Sequence, residues 1–186
     1  MIKAIIFDMV GPLLMKDPNY QRDELTEYVE SLASSYKDDV QFMNELKINE
    51  KTRQFSKKEI AKHVIKKYIK IDDVWNDLLP KLKNNYKLAV INNGMSLTVP
   101  FFIKENKFEE FFPIFINSSE EGIEKPNPEI YILTCKKLGV DPTECIFIDD
   151  LEKNVLGAKN VGMVGILYKD YKSLVNDLSV SISIAG

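Results

Sequence analysis

Residues 124–163 read EKPNPEIYILTCKKLGVDPTECIFIDDLEKNVLGAKNVGM and contain the clearest secondary-structure signals of the chain. Asn127 and Pro128 suit the N-cap and the first position of a helix, and Gly139 and Gly162 suit the C-terminal ends of two helices. The elements that this stretch predicts are a helix over 128–138, a strand over 145–148 and a helix over 151–160. Such a succession is typical of an α/β protein.

Four further apolar runs of strand length lie before that stretch or begin at its last residue. They cover 3–7 (KAIIF), 88–91 (LAVI), 113–116 (PIFI) and 163–167 (MVGIL), and a helical pattern covers 97–106. Strands that alternate with helices favour a parallel sheet with helices on both of its faces. The sequence therefore predicts an α/β fold built around one parallel sheet.

A helical insertion is predicted after the first strand. Between Asn19 and Leu79 the chain has neither Gly nor Pro, the residues that most often break helices. Ser56 and Glu59 have the spacing of a capping box, which marks the start of one helix. The other apparent helix starts are Asp38–Asp39 and Asp72–Asp73. The apolar residues at helical spacing are Leu25, Tyr28, Val29, Leu32, Ala33 and Tyr36, then Ile60, Val64, Ile65 and Tyr68, then Val74, Leu78, Leu79 and Leu82.

The position of this insertion indicates where a ligand would bind. Because it follows the first strand, it is expected to cover the carboxyl end of the sheet, which is the edge where open α/β sheets bind ligands. We therefore expect an α/β core domain over 1–15 and 85–186 and a helical cap domain over 16–84. The C-terminal residues 178–186 (LSVSISIAG) suit either a frayed tail or a short edge strand.

Composition excludes several classes of protein. The 186 residues are 45% hydrophobic with a net charge of −3, so neither nucleic acid nor a membrane is an expected partner. No apolar run reaches the ~18 residues that span a bilayer, and MIKAIIFDMV does not resemble a signal peptide, which predicts a cytoplasmic protein. A single histidine, His63, disfavours Ser-His-Asp chemistry and Cys/His metal sites. Acid–base or metal chemistry must then use carboxylates and lysines.

Carboxylates follow two of the predicted strands. Asp8 ends the first strand, and Asp149 and Asp150 end the strand over 145–148. Asp residues after strands often only cap helices or end turns, but parallel strands would bring these three to one edge. Clustered carboxylates repel each other, and Mg²⁺ removes that conflict because it prefers oxygen ligands. Lys125, just before a predicted helix, could balance the charge of a carboxylate and a phosphate.

These segments resemble the motifs of the haloacid dehalogenase-like (HAD) hydrolases. IIFDMVGPLL is similar to the first motif, LAVINNG to the second, and residues 124–163 to the third and fourth. The paired Asp149–Asp150 is similar to the branch that includes the phosphatase domain of soluble epoxide hydrolase. The resemblance implies a Rossmann-like parallel sheet with flanking helices, an inserted helical cap, and a magnesium-dependent hydrolase that acts on a small phosphorylated molecule as a monomer or homodimer.

The resemblance also implies roles for individual residues. Asp8 would be the nucleophile that forms an aspartyl-phosphate, with Lys125 and Asn92 as further catalytic residues. Asn93, Gly94 and Asn154 would contact or orient the substrate site. The ligands of Mg²⁺ would be Asp8, the backbone carbonyl of Val10 and Asp150, with Asp149 as an alternate ligand.

The sequence departs from the family pattern at Val10, where the family has a second Asp that acts as general acid and base. General acid–base catalysis contributes about 10²–10⁴-fold to rates. Three alternatives follow. The chain is a phosphatase for substrates with a good leaving group, such as a sugar 1-phosphate or an acyl phosphate; a degenerate member that binds a phosphorylated ligand or partner without turnover; or a metal-independent haloacid dehalogenase.

Overall fold

The computed structural model describes residues 1–35 and 39–182. Its strands are β1 (Ala4–Phe7), β2 (Leu14–Lys16), β3 (Tyr68–Lys70), β4 (Lys87–Asn92), β5 (Ile114–Asn117), β6 (Cys145–Asp149) and β7 (Val164–Leu167). Its α-helices are α1 (Glu24–Ser35), α2 (Asp39–Ile48), α3 (Lys57–Ile65), α4 (Leu79–Leu82), α5 (Val99–Glu105), α6 (Ser118–Glu121), α7 (Pro128–Leu138), α8 (Glu152–Asn160) and α9 (Tyr171–Ser181). A π-helical turn covers Val74–Leu78.

Five of these strands form one parallel sheet, in the order β5-β4-β1-β6-β7. All five strands predicted from apolar runs are present, and the helices predicted over 128–138 and 151–160 are α7 and α8. The α/β fold class is therefore confirmed. The order places β1 in the centre, between β4 and β6, so the residues that follow these three strands share one edge.

Alternation along the strands sorts their side chains onto two apolar layers. On β1, Ala4 and Ile6 pack with α7 and α8, whereas Ile5 and Phe7 pack with the π-helical turn, α4, α5 and α9. Successive residues of a strand point to opposite faces, so a sheet covered on both sides needs apolar residues at every position. This explains why β1 and β6 read as continuous apolar runs.

Helices α1, α2 and α3 share a third apolar cluster. It contains Val29, Phe42, Leu46, Ile60, Ala61, Val64 and Leu97. The capping box at Ser56 and Glu59 is present as predicted, with each side chain accepting a hydrogen bond from the other residue's backbone N–H. The division into a core domain over 1–15 and 85–186 and a cap over 16–84 stays a prediction.

The two ends of the helical insertion are joined by a short two-stranded antiparallel sheet that the sequence did not predict. Strands β2 and β3 pair with Met15 opposite Ile69, so the assignment of Tyr68 to a helix was wrong. The pairing joins residues more than fifty positions apart, and local spacing carries no signal for it. The segment after Asp72–Asp73 then begins with the π-helical turn, where the Trp75 indole Nε1 donates to the Leu13 carbonyl at 2.8 Å.

The C-terminal segment is helical through Ser181, so its described residues form neither a frayed tail nor an edge strand. Asp170 caps α9 by accepting a hydrogen bond from the Ser173 N–H at 2.8 Å, and Leu174 and Leu178 bury one face of the helix. Residues 183–186 lie outside the described residues, as do Tyr36 and Asp38. Of the helices in the described part of the chain, none has the length and apolar character needed to cross a bilayer.

Candidate active site

Three carboxylates meet at the carboxyl edge of the sheet. Phe7 on β1 is in register with Ile148 on β6, and the Asp8 N–H donates to the Ile148 carbonyl at 2.8 Å. Asp8 and Asp149 therefore leave adjacent strands side by side. Each of Asp8, Asp149 and Asp150 offers a carboxylate oxygen within 4.8 Å of the others. The structure thus brings together the carboxylates that the sequence placed about 140 residues apart.

Lys125 occupies the centre of this cluster. Its side chain is 1% exposed, and its Nζ donates to Asp8 Oδ1 at 2.5 Å, to Asp149 Oδ2 at 2.8 Å and to the Ile91 carbonyl at 2.9 Å. An ammonium group has three hydrogens, so these three acceptors use all of them. Lys125 therefore joins the ends of three strands and holds the Asp8 carboxylate in a defined orientation.

Asp149 is fully buried and its oxygens are saturated with hydrogen bonds. Its Oδ1 accepts from the Leu151 N–H at 2.8 Å and from Asn154 Nδ2 at 3.1 Å, and its Oδ2 accepts from Asn154 Nδ2 at 3.0 Å as well as from Lys125. A carboxylate offers about four acceptor positions. Asp149 is thus arranged to anchor Lys125, with little capacity left for a cation.

The site carries more negative than positive charge. Burial raises the pKa of the Asp8 carboxyl to about 6 against the opposing charge of Lys125, and the charge of Asp149 adds to the increase. Burial and the charge of Asp149 also raise the pKa of Asp150. One buried lysine thus faces three carboxylates whose donors are all oxygens, and a hard divalent cation such as Mg²⁺ fits this donor set.

The loop after β1 packs its backbone against Asp150. Gly11 has φ +114°, and a Cβ at this position would lie 2.8 Å from Asp150 Cγ, so only glycine fits. The preceding side chain, Val10, is half-buried and packs against the apolar layer that contains Phe7. Val10 can supply a backbone carbonyl to the site but no proton.

The side chains at the carboxyl end of β4 make hydrogen bonds that the sequence did not indicate. The Asn93 side chain pairs with the backbone of Lys125: its Nδ2 donates to the Lys125 carbonyl and its Oδ1 accepts from the Lys125 N–H, both at 2.9 Å. Asn92 Nδ2 donates to Asn117 Oδ1 at 2.8 Å. Asn93 therefore orients the loop that carries Lys125, and the predicted substrate roles of Asn92, Asn93 and Gly94 stay predictions.

Gly157 on α8 determines how closely that helix approaches the loop that carries Lys125 and Pro126. A Cβ at Gly157 would lie 2.8 Å from the Pro126 carbonyl oxygen. We expect Gly157→Ala to lower the free energy of unfolding by about 1–3 kcal/mol, because the added methyl group must displace the backbone next to Lys125. Denaturant unfolding measures this loss. The control is Lys153→Ala at an exposed position of α8; a Gly157→Ala protein as stable as this control would contradict the close-packing argument.

Comparison with known proteins agrees with the geometry. The sequence model of the haloacid dehalogenase-like hydrolases matches residues 2–162. A phosphorylated carbohydrates phosphatase of Thermotoga maritima is 25% identical over 179 residues, covering 87% of this chain and 82% of that protein. The bifunctional epoxide hydrolase 2 of Rattus norvegicus is 35% identical over 72 residues, covering 39% of this chain and 13% of that protein.

A glyceraldehyde 3-phosphate phosphatase of Methanopyrus kandleri is 33% identical over 95 residues, covering 50% of this chain. The match spans only 41% of that relative's length.

A solved structure of a HAD family enzyme from Bacteroides thetaiotaomicron, in complex with magnesium and inorganic phosphate, superposes with a TM-score of 0.71. It is 23% identical, and the match covers 94% of this chain and 99% of that one, which shows a shared fold. A family model that matches most of the chain, over a site with this arrangement of Asp8, Lys125 and Asp149, shows that the chain belongs to the haloacid dehalogenase-like hydrolases.

Proposed function

We propose that the chain hydrolyses phosphate monoesters of small metabolites and that Asp8 is its nucleophile. The observation that carries this proposal is the buried contact of Lys125 Nζ with Asp8 Oδ1 at 2.5 Å, which fixes one carboxylate oxygen and leaves the carboxylate at the open edge of the sheet. The phosphatases among the relatives support phosphate esters as the substrate class. In phosphoryl transfer, the protein mainly positions groups and balances charge, and this site suits that task.

The reaction would proceed in two displacements at phosphorus. An Asp8 oxygen attacks phosphorus, the bond between phosphorus and the leaving-group oxygen breaks, and an aspartyl-phosphate forms. Water then attacks the same phosphorus, the bond to Asp8 breaks, and inorganic phosphate leaves. Throughout, Lys125 balances the charge of Asp8 and of the phosphoryl oxygens, while Asp149 and Asn154 hold Lys125 and its neighbours in place.

Mg²⁺ would be held by Asp8, the backbone carbonyl of Val10 and Asp150. Asp150 is preferred over Asp149 because the oxygens of Asp149 already accept four hydrogen bonds from protein groups. When bound, the cation supplies positive charge next to the phosphoryl oxygens. The ordinary donor set of Mg²⁺, one or two carboxylates plus waters and phosphate, agrees with this arrangement.

Val10 limits the substrate to one with a good leaving group. No residue of the first motif can protonate the departing oxygen, so an ester whose leaving group is stable as an anion should react fastest. Acyl phosphates and sugar 1-phosphates have that property. A small phosphorylated metabolite of this kind is the proposed substrate.

A leaving-group series tests the proposal. We expect kcat/KM, which reports the first displacement, to be at least about 10²-fold higher for acetyl phosphate or an aryl phosphate than for glycerol phosphate, the contribution of the missing proton donor. Release should fall to background when a chelator replaces Mg²⁺. Equal kcat/KM values across the series would show that another group donates the proton.

A second candidate is a protein that binds a phosphorylated ligand without turnover, and the valine at position 10 is the observation that favours it. Folded protein that binds inorganic phosphate in the presence of Mg²⁺ but releases none from any ester of the series would support this candidate. Halide release from a 2-haloacid without metal would instead support a dehalogenase, which the surplus of clustered carboxylates disfavours.

A further inference from the structure

Asn117 lies fully buried at the end of β5, in a polar network next to the site. Its Oδ1 accepts from Asn92 Nδ2 at 2.8 Å, and its Nδ2 donates to the Gly94 carbonyl at 2.8 Å and to Ser119 Oγ at 2.5 Å. Buried amides in such networks keep a defined orientation because an unpaired donor or acceptor is costly. The catalytic scheme above gives this side chain no role.

The network determines which end of the Asn92 amide faces Asn117. The Gly94 carbonyl can only accept a hydrogen bond, so Asn117 must turn its NH₂ group toward Gly94 and its oxygen toward Asn92. Asn92 must then turn its own NH₂ group toward Asn117. The orientation of both amides therefore follows from one backbone carbonyl.

The packing around Gly94 maintains this arrangement. A Cβ at Gly94 would lie 2.5 Å from Asn92 Nδ2, a distance that no side chain could occupy. Gly94 is thus needed for the Asn92 amide to reach Asn117. Its N–H donates to Ser118 Oγ at 3.2 Å, which ties the end of β4 to the start of α6.

One N–H of the Asn92 amide remains available. Among the described residues, its Nδ2 has a single acceptor, Asn117 Oδ1, although an NH₂ group has two hydrogens. Asn92 directly follows Ile91, whose carbonyl shares Lys125 Nζ with Asp8, so Asn92 ends β4 at the same edge of the sheet as the nucleophile. A phosphoryl oxygen is an acceptor that the second hydrogen could meet.

We infer that Asn117 is a positioning residue that holds the Asn92 amide as a hydrogen-bond donor to the transferring phosphoryl group. This inference rests on the proposed phosphatase function and deepens it. Asn117 does not touch substrate; it acts through Asn92. A threonine at position 92 would carry a hydroxyl that rotates freely to donate, so it would not need Asn117 for orientation.

A double-mutant cycle on phosphate release from an aryl phosphate tests the inference. Asn117→Ala in the native background should lower kcat roughly tenfold with a smaller change in KM, and in an Asn92→Thr background it should lower kcat by less than about threefold. Thr134→Ala is the control, because Thr134 is a buried side chain on α7 whose hydroxyl donates to the Ile130 carbonyl of its own helix. Equal losses in both backgrounds would overturn the inference and assign Asn117 to packing alone.

Side-chain amide NMR separates failure of this inference from failure of the proposed function. In the native protein the Asn92 NH₂ hydrogen that is bonded to Asn117 should exchange slowly with solvent, and in Asn117→Ala it should exchange at least about tenfold faster. Unchanged exchange would overturn the inference even in an active enzyme. Absence of phosphate release by the native protein would contradict the proposed function. The NMR result would still decide whether Asn117 orients Asn92. Asn117→Ser serves if Asn117→Ala does not fold.

Discussion

Lys125→Met is expected to lower the free energy of unfolding by about 3–5 kcal/mol in the absence of magnesium, the usual cost of removing one partner of a buried ion pair. The substitution keeps most of the side-chain volume but leaves Asp8 and Asp149 side by side without a cation. Phosphate release should fall by about 10²–10³-fold, because the group that balances the phosphoryl charge is gone. Urea unfolding and steady-state kinetics measure the two losses.

Lys137 offers a matched control. Its Nζ also lies 2.5 Å from a carboxylate, that of Glu121, but its side chain is 41% exposed. Exposed ion pairs contribute about 0–1 kcal/mol, so Lys137→Met should change stability little and turnover not at all. If the two lysine variants lost the same stability, the buried position of Lys125 would not be what matters, and the charge argument for the site would fail.

Val10→Asp is expected to raise kcat/KM for glycerol phosphate by about 10²-fold, toward the lower end of what a general acid contributes. The effect on kcat/KM for acetyl phosphate should be much smaller, since its leaving group needs no proton in the first displacement. The gain would therefore bring the kcat/KM values of glycerol phosphate and acetyl phosphate closer together. Steady-state kinetics on the leaving-group series, with the native protein and with Val10→Asp, measure this change.

Val10→Asn separates proton transfer from mere polarity at this position. Asparagine has nearly the shape of aspartate but cannot donate and recover a proton at neutral pH, so we expect no gain from it. If Val10→Asn matched Val10→Asp, the gain would come from polarity near the loop, and the explanation of the substrate preference by a missing acid would be wrong.

Much of the fold could be predicted because its signals are local. Asn127 and Pro128 start α7, Gly139 ends it in the left-handed region at φ +66°, and the Ser56 capping box starts α3. Continuous apolar runs identified the buried parallel strands, because a sheet covered on both faces excludes polar residues from its interior. The convergence of Asp8 with Asp149 followed from the parallel arrangement alone.

The parts that could not be predicted depend on contacts between distant segments. Strands β2 and β3 pair across the whole helical insertion, and Tyr68 of β3 also fits the helical spacing of the residues before it. Asn117 was overlooked although it is a polar residue directly after the apolar run PIFI, the same signal that identified Asp8. The saturation of Asp149 by four hydrogen bonds depends on three separate groups, and no motif specifies it.

The most direct test of the nucleophile is acid-quenched mass spectrometry during turnover of acetyl phosphate with Mg²⁺. Because Val10 cannot activate the water of the second displacement, the aspartyl-phosphate should decay slowly and accumulate. We predict a phosphoryl group on the peptide that contains Asp8, and its loss together with phosphate release in Asp8→Asn at unchanged stability. Phosphate release that persists in Asp8→Asn, with no phosphorylated Asp8 in the native protein, would contradict the account.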